Sequence, residues 1–247
     1  MPCLLLKDGS LVKTVKFRDP GYIGDPINAI RIYNEKEVDE LIFLDIAATM
    51  ENRQPPYKVL SEIACECFMP VTYGGGIRRI EDIGTIFSLG IEKVAINSYA
   101  VENPSFIQIA ADKYGSQSIV VSIDVKKKAS GRYEIYTYGA RKTTGLDPVQ
   151  FAVQMEEMGA GEILLTAIDR DGTQEGYDVE LVHQVASAVS IPVIASGGAG
   201  KLEDFKAAVE QGGASACAAG SMVVYFGRNR AVLINFPARR ELEAVLG

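Results

Sequence analysis

The stretch Ile191–Ser221, IPVIASGGAGKLEDFKAAVEQGGASACAAGS, decides the fold, because its pattern already stands half a chain earlier at Met69–Ser98, MPVTYGGGIRRIEDIGTIFSLGIEKVAINS. Pro70, Val71, Gly75, Gly76, Glu81, Asp82 and Gly90 recur 122 positions later as Pro192, Val193, Gly197, Gly198, Glu203, Asp204 and Gly212. One inserted residue then brings Ser98 onto Ser221. Each copy reads as a short apolar strand, a glycine turn, an amphipathic helix and a second strand, which is a βαβ unit.

Outward from these copies, strand-like runs lie at Cys3–Leu6, Leu41–Asp45, Val71–Tyr73, Lys93–Asn97, Ser118–Asp124, Ile163–Ala167, Pro192–Ser196 and Ser215–Ala219. Between them, apolar residues at three- and four-residue spacing predict helices over Asp25–Lys36, Tyr57–Cys67, Pro104–Lys113, Asp147–Met158 and Val179–Val189. Eight alternating units in 247 residues predict a TIM (β/α)8 barrel in one domain, residues 1–247. The repeat reaches further still: Asp25-Pro26 returns as Asp147-Pro148, and Glu40 as Glu162. Two fused half-barrels, about 1–117 and 118–247, are therefore expected. An open doubly wound sheet is the alternative, although it does not demand eight similar units in matched halves.

A net charge of −7, with no run of lysine or arginine, argues against a nucleic-acid partner but leaves room for a small phosphorylated ligand. No apolar run approaches the roughly 18 residues of a membrane span, and MPCLLLKDGS lacks the apolar region of a signal peptide. The expectation is a cytoplasmic protein with no membrane contact. Cys3, Cys65, Cys67 and Cys217 are too few and too irregular for a disulfide framework or zinc ribbon and read as buried thiols. The single histidine, His183, falls in the helical pattern VELVHQVASAV and reads as structural. No metal and no cofactor are expected, and acid–base work falls to Asp, Glu, Lys, Tyr or Cys.

In such a barrel the reacting groups sit where strands end and loops begin. Aligning the first strand on the fifth lays Leu4-Leu5-Leu6-Lys7 over Ile123-Asp124-Val125-Lys126, so Leu5 stands opposite an acid. A twofold mouth would offer one carboxylate from each half to give and take protons; here only Asp124 does so. The glycine turns either cradle phosphates at helix starts or simply make tight turns. At the opposite face, Glu40, Glu92-Lys93 and Glu162 begin alternate strands, either as a charged plug on the axis or as solvated strand ends.

These motifs, KDGSLVK, ELIFLDI, VTYGGGIR, KVAINS, SIVVSID, GAGEILLTAIDRDGT, GYDVEL and IPVIASGGAG, resemble the cyclase subunit of imidazole glycerol phosphate synthase over nearly the whole chain. The resemblance implies a separate HisH-type glutaminase subunit as partner, whose ammonia travels through the barrel to a substrate with a phosphate at each end. It implies Gly76, Asn97 and Ser98 at one phosphate, Asp171, Gly172, Gly198, Gly220 and Ser221 at the other, and Lys13, in a flexible loop, on the substrate. Glu40, Lys93 and Glu162 match an ammonia gate, and Glu92 the docking face.

Two departures stand out. Leu5 replaces the first catalytic aspartate, and the residues that precede Pro2 in the family, including an arginine of the gate, are not in this sequence. The first implies impaired cyclase chemistry. The pattern CLLLKDG resembles divergent copies found with surface-polysaccharide genes, which implies ammonia delivery to a sugar-amidating enzyme. A working cyclase that uses Asp124 and Lys7 is the alternative, and a phosphate-binding scaffold or sensor is a third reading.

Overall fold

Asp25 and Asp147 show why the Asp-Pro pair recurs. In the computed structural model, which describes residues 1–227 and 229–247, each aspartate accepts two backbone N–H groups at a helix start, and the proline occupies the first helical position. The side chain satisfies donors the helix leaves open, and proline has no N–H to leave open there. The helices that follow, Pro26–Glu35 and Pro148–Glu157, are equal in length.

Asp82 and Asp204 explain the other repeated acid. Asp82 accepts from Arg79 N at 3.2 Å, and Asp204 from Gly200 N at 2.8 Å and Lys201 N at 3.0 Å, so each ties its glycine turn to the helix after it. The turns need glycine for steric reasons. Gly76 (φ +71°) would place a Cβ 2.6 Å from Arg53 O, and Gly198 (φ +116°) would place one 2.2 Å from Gly176 O.

Eight parallel strands result: β1 (Cys3–Lys7), β2 (Leu41–Asp45), β3 (Val71–Gly74), β4 (Lys93–Ile96), β5 (Ile119–Lys127), β6 (Glu162–Ala167), β7 (Val193–Ser196) and β8 (Ala216–Ala218). Each pairs with the next in sequence. The ring closes by a parallel bridge between Pro2 and Ala219, with Cys3 N donating to Ala219 O at 2.8 Å. The chain is a TIM barrel, as its repeat predicts.

Strand residues alternate between two cores. One faces outward to the helices and includes Leu4, Leu6, Phe43, Tyr73, Val121 and Leu165. The other fills the axis with Cys3, Ile42, Ala95, Val120, Leu164, Ile194 and Ala218. Beyond the eight units, the structure adds an antiparallel ribbon after β1 (Ser10–Val15 with Arg18–Gly24), another after β5 (Tyr133–Thr137 with Lys142–Thr143), and a last helix, Arg239–Leu246.

Three expectations change. Lys13 is not in a flexible loop: it belongs to the strand Ser10–Val15 and is buried, because that ribbon folds down over the barrel mouth. Of the four cysteines only Cys3 is fully buried, and Cys65 lies exposed on the outer helix Tyr57–Glu66. His183 is likewise exposed, on the helix Val179–Ala186. Among the described residues no helix is long and apolar enough to cross a membrane.

Candidate functional site at the barrel mouth

The C-terminal ends of the strands surround a cavity of about 410 Å³ that descends the axis to Cys3, Ala95 and Ala218, the smaller side chains of the axial core. Asp124, near the end of β5, and Leu5, on β1, both line it. In an eight-stranded ring β1 and β5 lie four strands apart in either direction, so the two face each other across the mouth. Leu5 is turned into the cavity.

Asp124 is half-buried. Burial, then the nearby charge of Asp171, push its carboxyl up to about 7, against the pull of a hydrogen bond from Asn97. Asn97 Nδ2 donates to Asp124 Oδ2 and to Ser122 O, both at 3.0 Å. The acid thus has a neutral donor and no cation beside it, which poises it to exchange a proton near neutrality. Lys7, at the end of β1, also lines the cavity.

No other acid lining the mouth stands where Leu5 does, and exposed Glu51 is paired with Arg53. Asp45, at the end of β2, accepts from Ala47 N and Ala48 N at 3.0 Å and lies 3.7 Å from Arg53 Nη1, so it is committed to its own turn. Asp171 takes Lys13 Nζ at 2.8 Å and Thr14 Oγ1 at 3.0 Å, and its carbonyl accepts from Lys16 N. Gly172 completes that clasp, since a Cβ there would lie 2.4 Å from Thr14 O. Lys13 also reaches across Gly220, where a Cβ would meet its Cε at 2.8 Å.

The expected phosphate residues fall into two clusters on the cavity wall. Gly76, Asn97 and Ser98 line one side, and Asp171, Gly172, Gly198, Gly220 and Ser221 the other. Ser98 and Ser221 each open a short helix, Ser98–Glu102 and Ser221–Val224. Tyr138, in a turn with φ +55°, donates its N–H to Ser98 Oγ at 3.0 Å and its hydroxyl to Glu102.

The charged residues at the opposite end do converge. Lys93 Nζ lies 2.6 Å from Glu40 Oε1 and 2.7 Å from Glu162 Oε1, with all three side chains largely buried. Burial pulls the ammonium down, but the hydrogen bonds to Glu162 and Glu40 outweigh it and hold its pKa above the ordinary lysine value. The second oxygens of both glutamates are buried without a partner among the described residues. Glu92, beside them in sequence, accepts from Val71 N at 2.8 Å.

Sequence reading passes over Asn97 as the partner of Asp124, Thr14 and Tyr138 as contacts of the mouth, and Arg230, whose Nη2 donates to Ser221 Oγ at 3.3 Å. Only Asn97 carried a signal, as the last residue of a strand pattern. No group of three or more His, Cys, Asp or Glu among the described residues is placed to hold a metal ion.

Residues 1–229 match the family described as "Histidine biosynthesis protein". A Pseudomonas aeruginosa protein provisionally named imidazole glycerol phosphate synthase subunit hisF2 is 52% identical over 243 residues, which cover 98% of this chain and 97% of that one. A Leptospira interrogans protein provisionally named imidazole glycerol phosphate synthase subunit HisF is 47% identical over 246 residues, covering 99% and 97%.

Proposed function

The chain belongs to the histidine biosynthesis protein family, and from that premise we propose that it is the barrel subunit of a glutamine amidotransferase complex. It takes ammonia from a HisH-type glutaminase subunit docked at the Glu40–Lys93–Glu162 end, near Glu92, and releases it at the mouth. The apolar axial layer favours this, since neutral ammonia can cross a layer that ammonium, losing its hydration, crosses only at high cost. The cavity's descent to Cys3, Ala95 and Ala218 shortens that crossing.

The observation that carries the reading is Leu5. The resemblance to the cyclases puts an aspartate at this position, and here a leucine is turned into the cavity across from Asp124. A hydrocarbon side chain cannot exchange a proton, and general acid–base catalysis contributes about 10²- to 10⁴-fold per positioned group. Cyclisation is accordingly impaired, and the delivered ammonia serves a separate enzyme that amidates a surface-polysaccharide sugar. The phosphate clusters at Ser98 and Ser221, with Lys13 clasped to Asp171, still suit a small phosphorylated ligand, and Asp124 and Lys7 are the groups left for proton transfer. The compartment is cytoplasmic, where glutamine and a soluble partner subunit are at hand.

The test is to mix the chain with its cognate glutaminase and follow glutamine hydrolysis and complex formation. Stimulation of hydrolysis, with negligible cyclase turnover on ammonium salts and a gain of cyclase turnover in Leu5→Asp, is the expected result. Absence of both complex and stimulation removes the reading.

A second reading, a genuine cyclase of imidazole glycerol phosphate synthase, is favoured by one observation: burial and the charge of Asp171 push the Asp124 carboxyl up to about 7 although position 5 carries no acid. Steady turnover of the wild-type chain with ammonium, lost in Asp124→Asn and weakened in Lys7→Met, would establish it.

A further inference from the structure

Phe68 is 87% exposed, more than any other large apolar residue among those described, and it stands at the bottom of the barrel, in the connection between the helix Tyr57–Glu66 and β3. Met69 after it is buried in the outer core, whereas Pro70 is exposed again. A phenyl ring left in water forgoes the burial that a fold ordinarily supplies. One exposed apolar side chain needs no explanation by itself. The way this one is held does.

Asn34, on the helix Pro26–Glu35, grips the connection on both sides of Cys67. Its Nδ2 donates to Glu66 O at 2.7 Å, and Phe68 N donates to its Oδ1 at 3.2 Å. Arg31 joins the same two helices a second time, donating to both carboxylate oxygens of Glu66 at 3.2 Å. A single amide thus satisfies a C=O and an N–H of the turn and fixes the backbone from which the ring projects. Order that exists before contact lowers the cost of association, and aromatic side chains are enriched at the centres of interfaces.

The ring also adjoins the charged end of the axis. Leu41 N donates to Pro70 O at 2.9 Å, which sets Glu40 beside Pro70, and Glu92 accepts from Val71 N at 2.8 Å. Glu37 and Asp39 before β2 and Glu92 before β4 are exposed and in no ion pair among the described residues. The cations nearby are mostly committed: Arg31 to Glu66, Lys93 to Glu40 and Glu162, and Arg239, which lies toward Glu37 and Asp39, to Glu243. Lys36 is left against three acids, so the surroundings of Phe68 are acidic.

We propose that Phe68 is the apolar anchor of the bottom face, entering a pocket on the glutaminase subunit that is lined by apolar side chains and rimmed by lysine or arginine. This rests on the reading that a glutaminase docks at this end, and it names the residue that carries the affinity and the surface the partner must present. A glutaminase without such a pocket is then a poor partner, which makes Phe68 a determinant of partner choice. A second copy of this chain does not fit, because its bottom face would bring the same acids together.

The experiment is a calorimetric titration of the full chain with its cognate glutaminase, with glutamine hydrolysis followed in parallel. Phe68→Ala should weaken binding by about thirtyfold, the size of loss at an interface hot spot, while hydrolysis at saturating barrel subunit stays as in the wild type. Phe68→Leu, which keeps an apolar side chain, should recover part of the affinity. Phe226→Ala, which removes a ring 69% exposed in the hairpin that follows the helix Ser221–Val224, should leave binding unchanged.

Binding by Phe68→Ala within about threefold of the wild type, below any hot-spot loss, overturns the anchor and leaves the docking reading in place. An equal loss in Phe226→Ala does the same, since the effect is then not particular to this face. No complex with the wild type overturns both.

Discussion

The two ends of the barrel axis hold buried charge by opposite means. At the bottom, Lys93 is met by two carboxylates within 2.7 Å, and its ammonium stays charged throughout the neutral range. At the mouth, Asp124 has an amide from Asn97 and no ion pair, while the buried Lys13 is taken by Asp171. One end is built to keep its charge, and the other to exchange it. The difference lies less in burial than in whether an opposite charge is within contact distance, since burial penalises the charged form at both ends.

The largest effect should follow from breaking the bottom end. Lys93→Met leaves Glu40 and Glu162 facing each other without a cation and should cost roughly 3 kcal/mol of stability, the cost of stranding a buried charge. Urea denaturation measures it. A loss below about 1 kcal/mol would mean that the triad is solvated and that the contrast between the two ends is not real.

A smaller effect is expected at the mouth, and its pH dependence is the sharper test. Asp124 has a folded-state pKa of about 7 against an ordinary 3.8. Between those values the folded chain binds a proton that the unfolded chain releases, so Asp124 makes stability fall as pH rises from about 4 to 7. Asp124→Asn should remove that decline and be the more stable form at pH 8 by on the order of 2 kcal/mol, given about 1.4 kcal/mol per unit and some relief from water in the cavity. Matching pH profiles for wild type and variant would show that Asp124 is ionised throughout and that the mouth resembles the bottom.

The smallest effect concerns the layer between the ends. Burial pushes the thiol of Cys3 up to about 12, and those of Cys67 and Cys217 up to about 12 and 11, while Cys65 is exposed. A thiol reagent at pH 7.5, about a unit below an ordinary thiol pKa, should therefore modify one cysteine quickly and three slowly. Fast labelling of Cys3, at the floor of the cavity, would show that burial does not hold its thiol protonated.

All eight barrel strands were legible in the sequence to within a few residues, because the alternation of β-branched and apolar residues marks each one and the repeat fixes their number. The glycine turns and the Asp-Pro helix starts were legible for the same reason: each is a local requirement of backbone geometry. The antiparallel ribbons after β1 and β5 were not, since nothing within Ser10–Gly24 or Tyr133–Thr143 fixes what each segment pairs with. Lys13 shows the cost, because its burial depends on Asp171, 158 residues away.

The site divides along the same line. Leu5 and Asp124 could be paired from the repeat, whereas the convergence of Glu40, Lys93 and Glu162 was one of two readings the alternate strands allowed. The roles of Asn97, Thr14, Tyr138 and Arg230 could not, because each depends on a contact made between distant segments.

By itself, then, the amino-acid order determined the barrel, its internal repetition and which side chains face the axis, since these follow from periodicity and from steric demands felt within a few residues. Only the folded chain decided which of those side chains are paired and which carboxyl titrates near neutrality. Those properties depend on distances of about 3 Å between groups that the chain brings together from far apart, and on the solvent excluded around them.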